Sequence, residues 1–340
     1  MVLDGQWVFM FEDDALARAE QYCCSMNWAA DVLSRSLMRF VICPKPPFDF
    51  ERSAHMLVRF KNSLPDVYED GRYMRVLHIN KNPVLVSVSS RGTTWNPRLI
   101  VEVYARLNKK SEKESLRHVL KSMFESSFDY RKFHAVAKKD PLMRTIVERL
   151  KGLRPIRPPS FFESIIIAIT EQQISLHAAV AIRSRLIQKY GDRVVRDGRT
   201  FFAFPTPESL AKAHIRGLRS IGLSAVKARY ISEFSKKVAS GEFDLERLTE
   251  MGNEQVIAEL TKLRGIGRWT AEYALVRGMG RVNSLPADDL GIQRAVSQAY
   301  AKGRRISADE ARIVLGKFAP YSGIAAFYLM YHLFWERLPQ

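Results

Sequence analysis

Apolar residues recur at every third or fourth position through most of the chain after residue 108. This spacing places them on one face of a helix, so we predict a helix wherever it is sustained. The segments that show it are residues 115–124, 141–153, 160–169, 176–190, 207–213, 225–239, 245–249, 253–261, 270–278, 291–301, 308–318 and 322–338. Proline-containing breaks, PIRPP and FPTP, interrupt the series. The larger part of the chain is therefore predicted to be all-α.

Between residues 40 and 106 the pattern is instead β-branched and partly alternating, which is typical of strands. The predicted strands are residues 40–44, 73–79, 83–90 and 98–107, and residues 54–61 have helical spacing. Strands with one or two helices on a single face form a small α+β domain. We assign residues 44–125 to this domain and residues 126–340 to the helical one.

Residues 1–43 precede both domains and contain a predicted helix at residues 14–25 but no clear motif. Met38 opens the segment MRFVICPKPPFDF, with which the chain could also begin. The first 37 residues are then either a true extension or the result of an upstream start-codon assignment. We treat residues 1–43 as an extension without an assigned role.

Charge gives the first indication of function. The chain carries 53 Lys and Arg against 36 Asp and Glu, a formal net charge of +17. This excess favours polyanions, because phosphate contacts dominate nucleic-acid affinity. Improved solubility or an acidic protein partner are the alternatives. Residues 104–154 hold 14 basic and 6 acidic side chains, which form either a DNA-facing surface or a solvated helix face.

Several classes of protein do not fit the sequence. No run approaches the ~20 apolar residues of a membrane span, and the N-terminus is acidic where a signal peptide is basic. The three cysteines are Cys23, Cys24 and Cys43, an odd number that argues against a disulfide framework. One chain with three cysteines cannot supply a four-cysteine zinc or iron–sulfur site. We therefore expect an intracellular, cytoplasmic protein.

The stretch LRGIGRWTA resembles a turn between two helices. Gly265 and Gly267 can adopt positive φ and allow a close backbone approach, while Ile266 between them can point inward. The next helix begins near Trp269 or Thr270, and its first N–H groups are unpaired. A glycine turn leading into a helix N-terminus can bind an anion such as a backbone phosphate. The glycines could equally serve only to end a helix.

The hairpin and the downstream segment SLPADDLGIQRAV together resemble the helix-hairpin-helix–Gly/Pro/Asp superfamily of DNA glycosylases, and most closely its AlkA-type 3-methyladenine glycosylases. The residues that match the signature are Leu263, Gly265, Ile266, Gly267, Thr270, Ala271, Pro286 and Asp289. Residues 161–191 and 320–333 also match, and residues 44–106 look like the family's N-terminal antiparallel sheet. The resemblance implies an α+β N-terminal domain followed by a mainly α glycosylase domain.

The chemistry of such an enzyme requires a carboxylate. Cleavage of an N-glycosidic bond builds positive charge on the deoxyribose, which a nearby carboxylate stabilises. The same group can orient or deprotonate a water molecule. The resemblance makes Asp289 the catalytic residue and leaves Asp288 as the neighbouring candidate. A purely structural helix N-cap is the alternative role for Asp289.

The residue after the hairpin bears on the type of reaction. Bifunctional relatives carry a lysine two residues after the second glycine, as a Schiff-base nucleophile. Trp269 occupies that position here, and the neighbouring Arg268 stays protonated and is no nucleophile. The resemblance thus implies a monofunctional enzyme that releases the base with water and without strand cleavage.

The target base must leave the stack to be cut. The resemblance places Gln173 at the wedge that fills the gap and Gln172 at the base pocket. Trp269 and Tyr273 lie one helical turn apart and could stack on an extruded cationic base, or be core aromatics. Met330 stands where the family usually carries a pocket tryptophan. Tyr328 or Tyr331 could compensate for it.

The hairpin is expected to hold the DNA backbone. The predicted phosphate-binding residues are Leu263, Arg264, Gly265, Ile266, Gly267, Arg268 and Thr270. A monovalent cation could bind at the carbonyls of Leu263 and Gly265, whereas no catalytic metal and no cofactor are predicted. The expected partner is double-stranded DNA with damaged bases, bound by a nucleoid-associated monomer without a membrane partner.

The sequence thus predicts a monofunctional glycosylase that flips and excises alkylated purines such as 3-methyladenine and 7-methylguanine, or deaminated purines, from duplex DNA. Two alternatives remain open. One is a non-catalytic helix-hairpin-helix DNA-binding protein. The other is an oxidised-guanine glycosylase with lyase activity.

Overall fold

The computed structural model describes residues 38–58, 60, 63–125 and 129–335. The predicted helix at residues 14–25 lies outside this part of the chain. The N-terminal part forms a five-stranded antiparallel sheet with the order β1-β5-β4-β3-β2. Its elements are β1 (Met38–Ile42), α1 (Phe50–Val58), β2 (Val67–Glu69), β3 (Arg72–Ile79), β4 (Asn82–Thr93), β5 (Asn96–Val103) and α2 (Lys110–Phe124).

The sheet forms because alternate β-branched residues share one buried face. Val86 of β4 pairs with Val103 of β5, and both are fully buried. Strand β1 pairs with β5 from Met38 onward, so the sheet begins before the domain boundary that we set at residue 44. The short strand β2 was not predicted.

The remainder of the described chain is mainly helical. Its α-helices are α3 (Tyr130–Ala137), α4 (Pro141–Arg149), α5 (Phe161–Glu171), α6 (Leu176–Tyr190), α7 (Pro207–Ala211), α8 (Ile215–Arg219), α9 (Ala225–Ala239), α10 (Asn253–Thr261), α11 (Arg268–Arg277), α12 (Leu290–Tyr300), α13 (Ala308–Gly316) and α14 (Ser322–Met330). A 3₁₀ turn (Arg247–Glu250) precedes α10, and a π-helical turn (Tyr331–Trp335) follows α14. None of the described helices is long and apolar enough to cross a membrane.

Local sequence explains most of these boundaries. The side chains of Ser160, Ser175 and Ser224 each accept a backbone N–H in the first turn of the helix that follows. These caps satisfy donors that the first helical turn leaves unpaired. The predicted ranges for α6, α9 and α10 are confirmed to the residue.

The prediction of an all-α second domain was wrong in one place. Strands β6 (Arg193–Arg196) and β7 (Arg199–Phe202) form a hairpin closed by Asp197 and Gly198, both with positive φ. An Asp-Gly pair between β-branched residues is a hairpin signal, but strands of four residues carry little alternation. Helices α3 and α8 were also not predicted, and the last predicted helix is α-helical only as far as Met330.

The helical part contains two hydrophobic cores. One joins α3, α4 and α12 to α14, and the other joins α5 to α11. Helix α5 is also tied to the sheet, because buried Arg75 of β3 donates to both carboxylate oxygens of Glu163 (2.6 Å) and to Asp66 (2.7 Å). The helices that carry the predicted site residues belong to both cores, α5 and α11 to one and α12 and α14 to the other.

Candidate active site

The turn between α10 and α11 depends on Gly265. Its φ is +84°, and a Cβ atom on it would lie 2.1 Å from the ring of Tyr230 on α9. Ile266 beside it is 4% exposed and belongs to the core around α5 to α11. Only glycine fits this position, because both the backbone conformation and the adjacent ring exclude a side chain.

Gly267 differs from our prediction in its backbone conformation. It is the N-cap of α11, with extended backbone (φ −90°, ψ 177°) rather than positive φ. A Cβ atom on it would meet nothing within 4 Å, and the residue is exposed. Because the first N–H groups of a helix have no partner within it, this open face in front of α11 suits a backbone phosphate.

The two arginines of the hairpin, Arg264 and Arg268, differ in whether acidic side chains already pair with them. The guanidinium of Arg268 donates to Glu254 (2.8 Å) and Glu272 (2.9 Å). Arg264 is exposed. The carbonyl oxygen of Gly265 accepts from Gln172 and that of Leu263 accepts from the N–H of Ile266. A cation at these two carbonyls stays a prediction, as does phosphate binding by the arginines.

Residues 171–175 (EQQIS), which we call the wedge loop after the predicted role of Gln173, are anchored to the hairpin. The side-chain amide of Gln172 donates to the carbonyl of Gly265 and to the hydroxyl of Thr270, each at 2.9 Å. The side-chain amide donor of Gln172 is therefore engaged by the hairpin. The predicted position of Gln172 at the base pocket stays a prediction. Gln173 is exposed with a φ of +53°, and Ile174 beside it is 38% exposed. The loop thus presents Gln173 at its tip, as a wedge requires.

Lys227 on α9 supports the wedge loop, and the sequence alone did not indicate this role. Its ammonium group donates to the carbonyls of Thr170 (3.0 Å) and Gln172 at the C-terminal end of α5. A cation at this end of a helix is favourable because the unpaired carbonyls carry the negative end of the dipole. Burial lowers the pKa of Lys227. No local pattern in the sequence shows that this lysine reaches back to α5.

We expect Gln172→Ala to lower the free energy of unfolding by about 2 kcal/mol, because two hydrogen bonds between the wedge loop and the hairpin are lost. Gln173→Ala is the matched control, since this side chain is exposed and its removal should change stability by less than about 0.5 kcal/mol. Chemical denaturation measures both. Equal stabilities of the two variants would show that the anchor is dispensable.

Asp289 is the N-cap of α12 and also faces the aromatic residues. Its Oδ1 accepts from the backbone N–H groups of Gly291 (2.8 Å) and Ile292 (3.1 Å). Its Oδ2 accepts from the indole N–H of Trp269 (3.1 Å). Burial raises the pKa of Asp289, against the lowering effect of these hydrogen bonds. Asp289 therefore does cap α12, which was the alternative to a catalytic role. Capping uses only Oδ1, and Oδ2 remains directed to Trp269.

Asp288 has different surroundings. Its side chain is 54% exposed, and Oδ2 lies 3.4 Å from the guanidinium of Arg312. It makes no contact with Trp269 that the structure shows among the described residues. This geometry favours Asp289 over Asp288 as the predicted catalytic carboxylate.

Two aromatic side chains, Trp269 and Tyr273, follow one another next to Asp289. The rings of Trp269 and Tyr273 have centroids 5.5 Å apart at an angle of 40°, and both residues are half-buried rather than core. Met330 also approaches this site, because a Cβ atom on Gly291 would lie 3.0 Å from its methyl group. The structure therefore brings Asp289, Trp269, Tyr273 and Met330 into one neighbourhood.

The two tyrosines considered as substitutes for a pocket tryptophan have separate positions. Tyr328 is fully buried, and its hydroxyl donates to the carbonyl of Leu153 (2.6 Å), so it belongs to the core. Tyr331 is half-buried, with its ring 6.5 Å from that of Phe327. Within the described residues, no three or more His, Cys, Asp or Glu side chains form a group that could hold a metal ion.

Comparison with known proteins agrees with this geometry. Residues 166–320 match the model of the HhH-GPD superfamily base excision DNA repair proteins. The chain is 28% identical to a DNA-3-methyladenine glycosylase of Bacillus subtilis over 83% of its own length and 93% of the relative's.

Two solved structures are similar. The 3-methyladenine DNA glycosylase of Archaeoglobus fulgidus is 30% identical with a TM-score of 0.74, over 87% of this chain and 99% of that one. The Schizosaccharomyces pombe glycosylase Mag1, solved with abasic DNA, is 26% identical with a TM-score of 0.51, over 59% of this chain and 95% of that one. The chain therefore belongs to the HhH-GPD superfamily of base excision DNA repair proteins.

Proposed function

We propose that the chain is a monofunctional DNA glycosylase that flips and excises alkylated or deaminated purines from duplex DNA in base excision repair. The observation that carries this proposal is the carboxylate of Asp289, held at the start of α12 with one oxygen directed to Trp269. Relatives named DNA-3-methyladenine glycosylase support the choice of alkylated purines.

The geometry supports a simple sequence of events. The open face at Gly267 receives a backbone phosphate, Gln173 fills the gap in the stack, and the extruded base lies against Trp269 and Tyr273. The bond between the base and C1′ then breaks, and the departing base takes the electron pair. The ionised carboxylate of Asp289 stabilises the positive charge left on the sugar. A water molecule adds to C1′ and gives its proton to Asp289.

Absence of lyase activity is part of the proposal. Lyase chemistry needs an amine that attacks C1′, and Trp269 occupies the position at which bifunctional relatives carry it. The ammonium group of Lys227 is engaged by two carbonyls at the end of α5. We expect borohydride to trap no covalent complex with a lesion-containing duplex. A trapped complex would instead support the bifunctional alternative.

The decisive experiment measures base release from duplexes that contain 3-methyladenine, 7-methylguanine, hypoxanthine, uracil or 8-oxoguanine. We expect release of the alkylated purines and of hypoxanthine, and none of 8-oxoguanine. Retained binding without release of any base would favour a non-catalytic DNA-binding protein. We further expect the chain to act as a monomer on chromosomal DNA inside the cell, with no membrane partner and in association with the nucleoid.

A further inference from the structure

A cleft lies at the hydroxyl end of Tyr273, between α5, α6 and the sheet domain. Its volume is about 70 Å³. The charged and aromatic lining residues on which the inference depends are Glu171, Arg183, Tyr273 and Arg277. We call it the Tyr273 cleft. The same tyrosine therefore has its ring beside Trp269 and its hydroxyl in a charged environment.

Glu171, the last residue of α5, is the acidic group of this end of the cleft. Its Oε1 accepts from the guanidinium of Arg183 at 2.9 Å, and the two side chains are 14% and 13% exposed. Tyr273 lines the same cleft as this carboxylate, and the charge of Glu171 acts on its hydroxyl. Glu171 is thus a half-enclosed carboxylate that pairs with a cation and shares a cleft with a proposed pocket residue.

The electrostatic reach of Glu171 extends to the catalytic carboxylate. Burial, followed by the charge of Glu171, raises the pKa of Tyr273, whereas Arg277 and Arg183 oppose the rise. The charge of Glu171 also adds to the effect of burial that raises the pKa of Asp289. Two cations, Arg183 and Arg277, and one anion, Glu171, therefore line the cleft together with Tyr273, and the charge of Glu171 opposes theirs.

We propose that Glu171 is a specificity-determining residue that makes the pocket favour purines carrying a positive charge over neutral ones. The inference rests on the proposed function. A cationic base stacked on an aromatic ring lies within about 6 Å of the ring centroid, and Glu171 lines the same cleft as Tyr273. In such a partly enclosed site a carboxylate attracts a cation strongly, because solvent screens the interaction only weakly.

Because Glu171 and Arg183 have opposite charges, substituting each in turn should shift the preference for cationic purines in opposite directions. A purine alkylated at N7 or N3 carries a formal positive charge in DNA, whereas hypoxanthine is neutral. Glu171→Gln keeps the shape but leaves Arg183 and Arg277 without the opposing charge, which disfavours a cationic base. Arg183→Gln leaves the carboxylate without its guanidinium partner, which favours a cationic base.

The experiment measures kcat/KM for release of 7-methylguanine and of hypoxanthine from duplexes of the same sequence. We expect the 7-methylguanine to hypoxanthine ratio to fall on the order of tenfold in Glu171→Gln and to rise several-fold in Arg183→Gln. The ratio cancels any change in the pKa of Asp289 or in folding, because both substrates use the same enzyme. Thermal unfolding of each variant verifies that the protein is folded.

A structural role for the pair would lower both activities in parallel and leave the ratio unchanged, which would overturn the inference. A ratio that moves in the same direction in both variants would also contradict it, because the two substitutions change the local charge oppositely. Release of either base by the wild-type chain supports the proposed function whatever the ratio does. Absence of any release from the wild type would overturn the proposed function and this inference with it.

Discussion

Replacing Asp289 with asparagine should lower base release on the order of 10³-fold while leaving the affinity for duplex DNA nearly unchanged. The amide has no charge with which to stabilise the cationic sugar, and it cannot accept a proton from water. Asparagine caps a helix about as well as aspartate, so its side-chain oxygen can still accept from Gly291 and Ile292. The folded structure and the hairpin should therefore survive the change.

Single-turnover release of 7-methylguanine and equilibrium binding to the same duplex measure the two effects separately. Asp288→Asn is the matched control, because that carboxylate is exposed and pairs only loosely with Arg312. It should keep most of the activity. Release that survives in Asp289→Asn, or that disappears in Asp288→Asn, would mean that the catalytic carboxylate was assigned to the wrong residue.

The pH dependence of release provides an independent measure of Asp289. Burial raises the pKa of this carboxyl, so the neutral form persists to a higher pH than for an exposed aspartate. Because the ionised form is the active one, the rate of base release should increase as the pH rises through this raised pKa. At pH values below the pKa the rate should be low. The residual activity of Asp289→Asn should lack this step. A wild-type rate that is flat across the acidic range would contradict an ionised Asp289 as the active form.

Replacing Gly265 with alanine should destabilise the protein by about 3 kcal/mol, from the sum of backbone strain and overpacking. The residue has a φ of +84°, and the new methyl group would overlap the ring of Tyr230. Displacing that ring disturbs α9, from which Lys227 supports the wedge loop. We therefore expect weaker DNA binding together with the loss of stability.

Gly267→Ala separates binding from folding at the same hairpin. Its backbone is extended and the added methyl group meets nothing within 4 Å, so stability should fall by no more than about 1 kcal/mol, the cost of a poorer N-cap residue. The methyl group would occupy the open face in front of α11, and we expect duplex affinity to fall on the order of tenfold. Denaturation and binding measurements check both variants. Wild-type affinity in Gly267→Ala would show that no phosphate approaches there.

Much of the fold could be predicted from local sequence. Helices α6 and α10 have sustained apolar spacing and clear ends, and their predicted bounds are confirmed. The π-helical turn after Met330 and the short hairpin at Asp197 were missed. Neither carries enough residues for a period of 3.6 or 2 to stand out.

The sequence by itself determined the glycine turn, the tryptophan after it and an aspartate at the start of a helix, because turn chemistry and capping depend on neighbouring residues. Only the tertiary structure decided which glycine is indispensable, since Tyr230 comes from α9. It also decided that Gln172 anchors the wedge loop to the hairpin and that Glu171 lines one cleft with Tyr273. These contacts join residues far apart in sequence, so they exist only once the helices have packed.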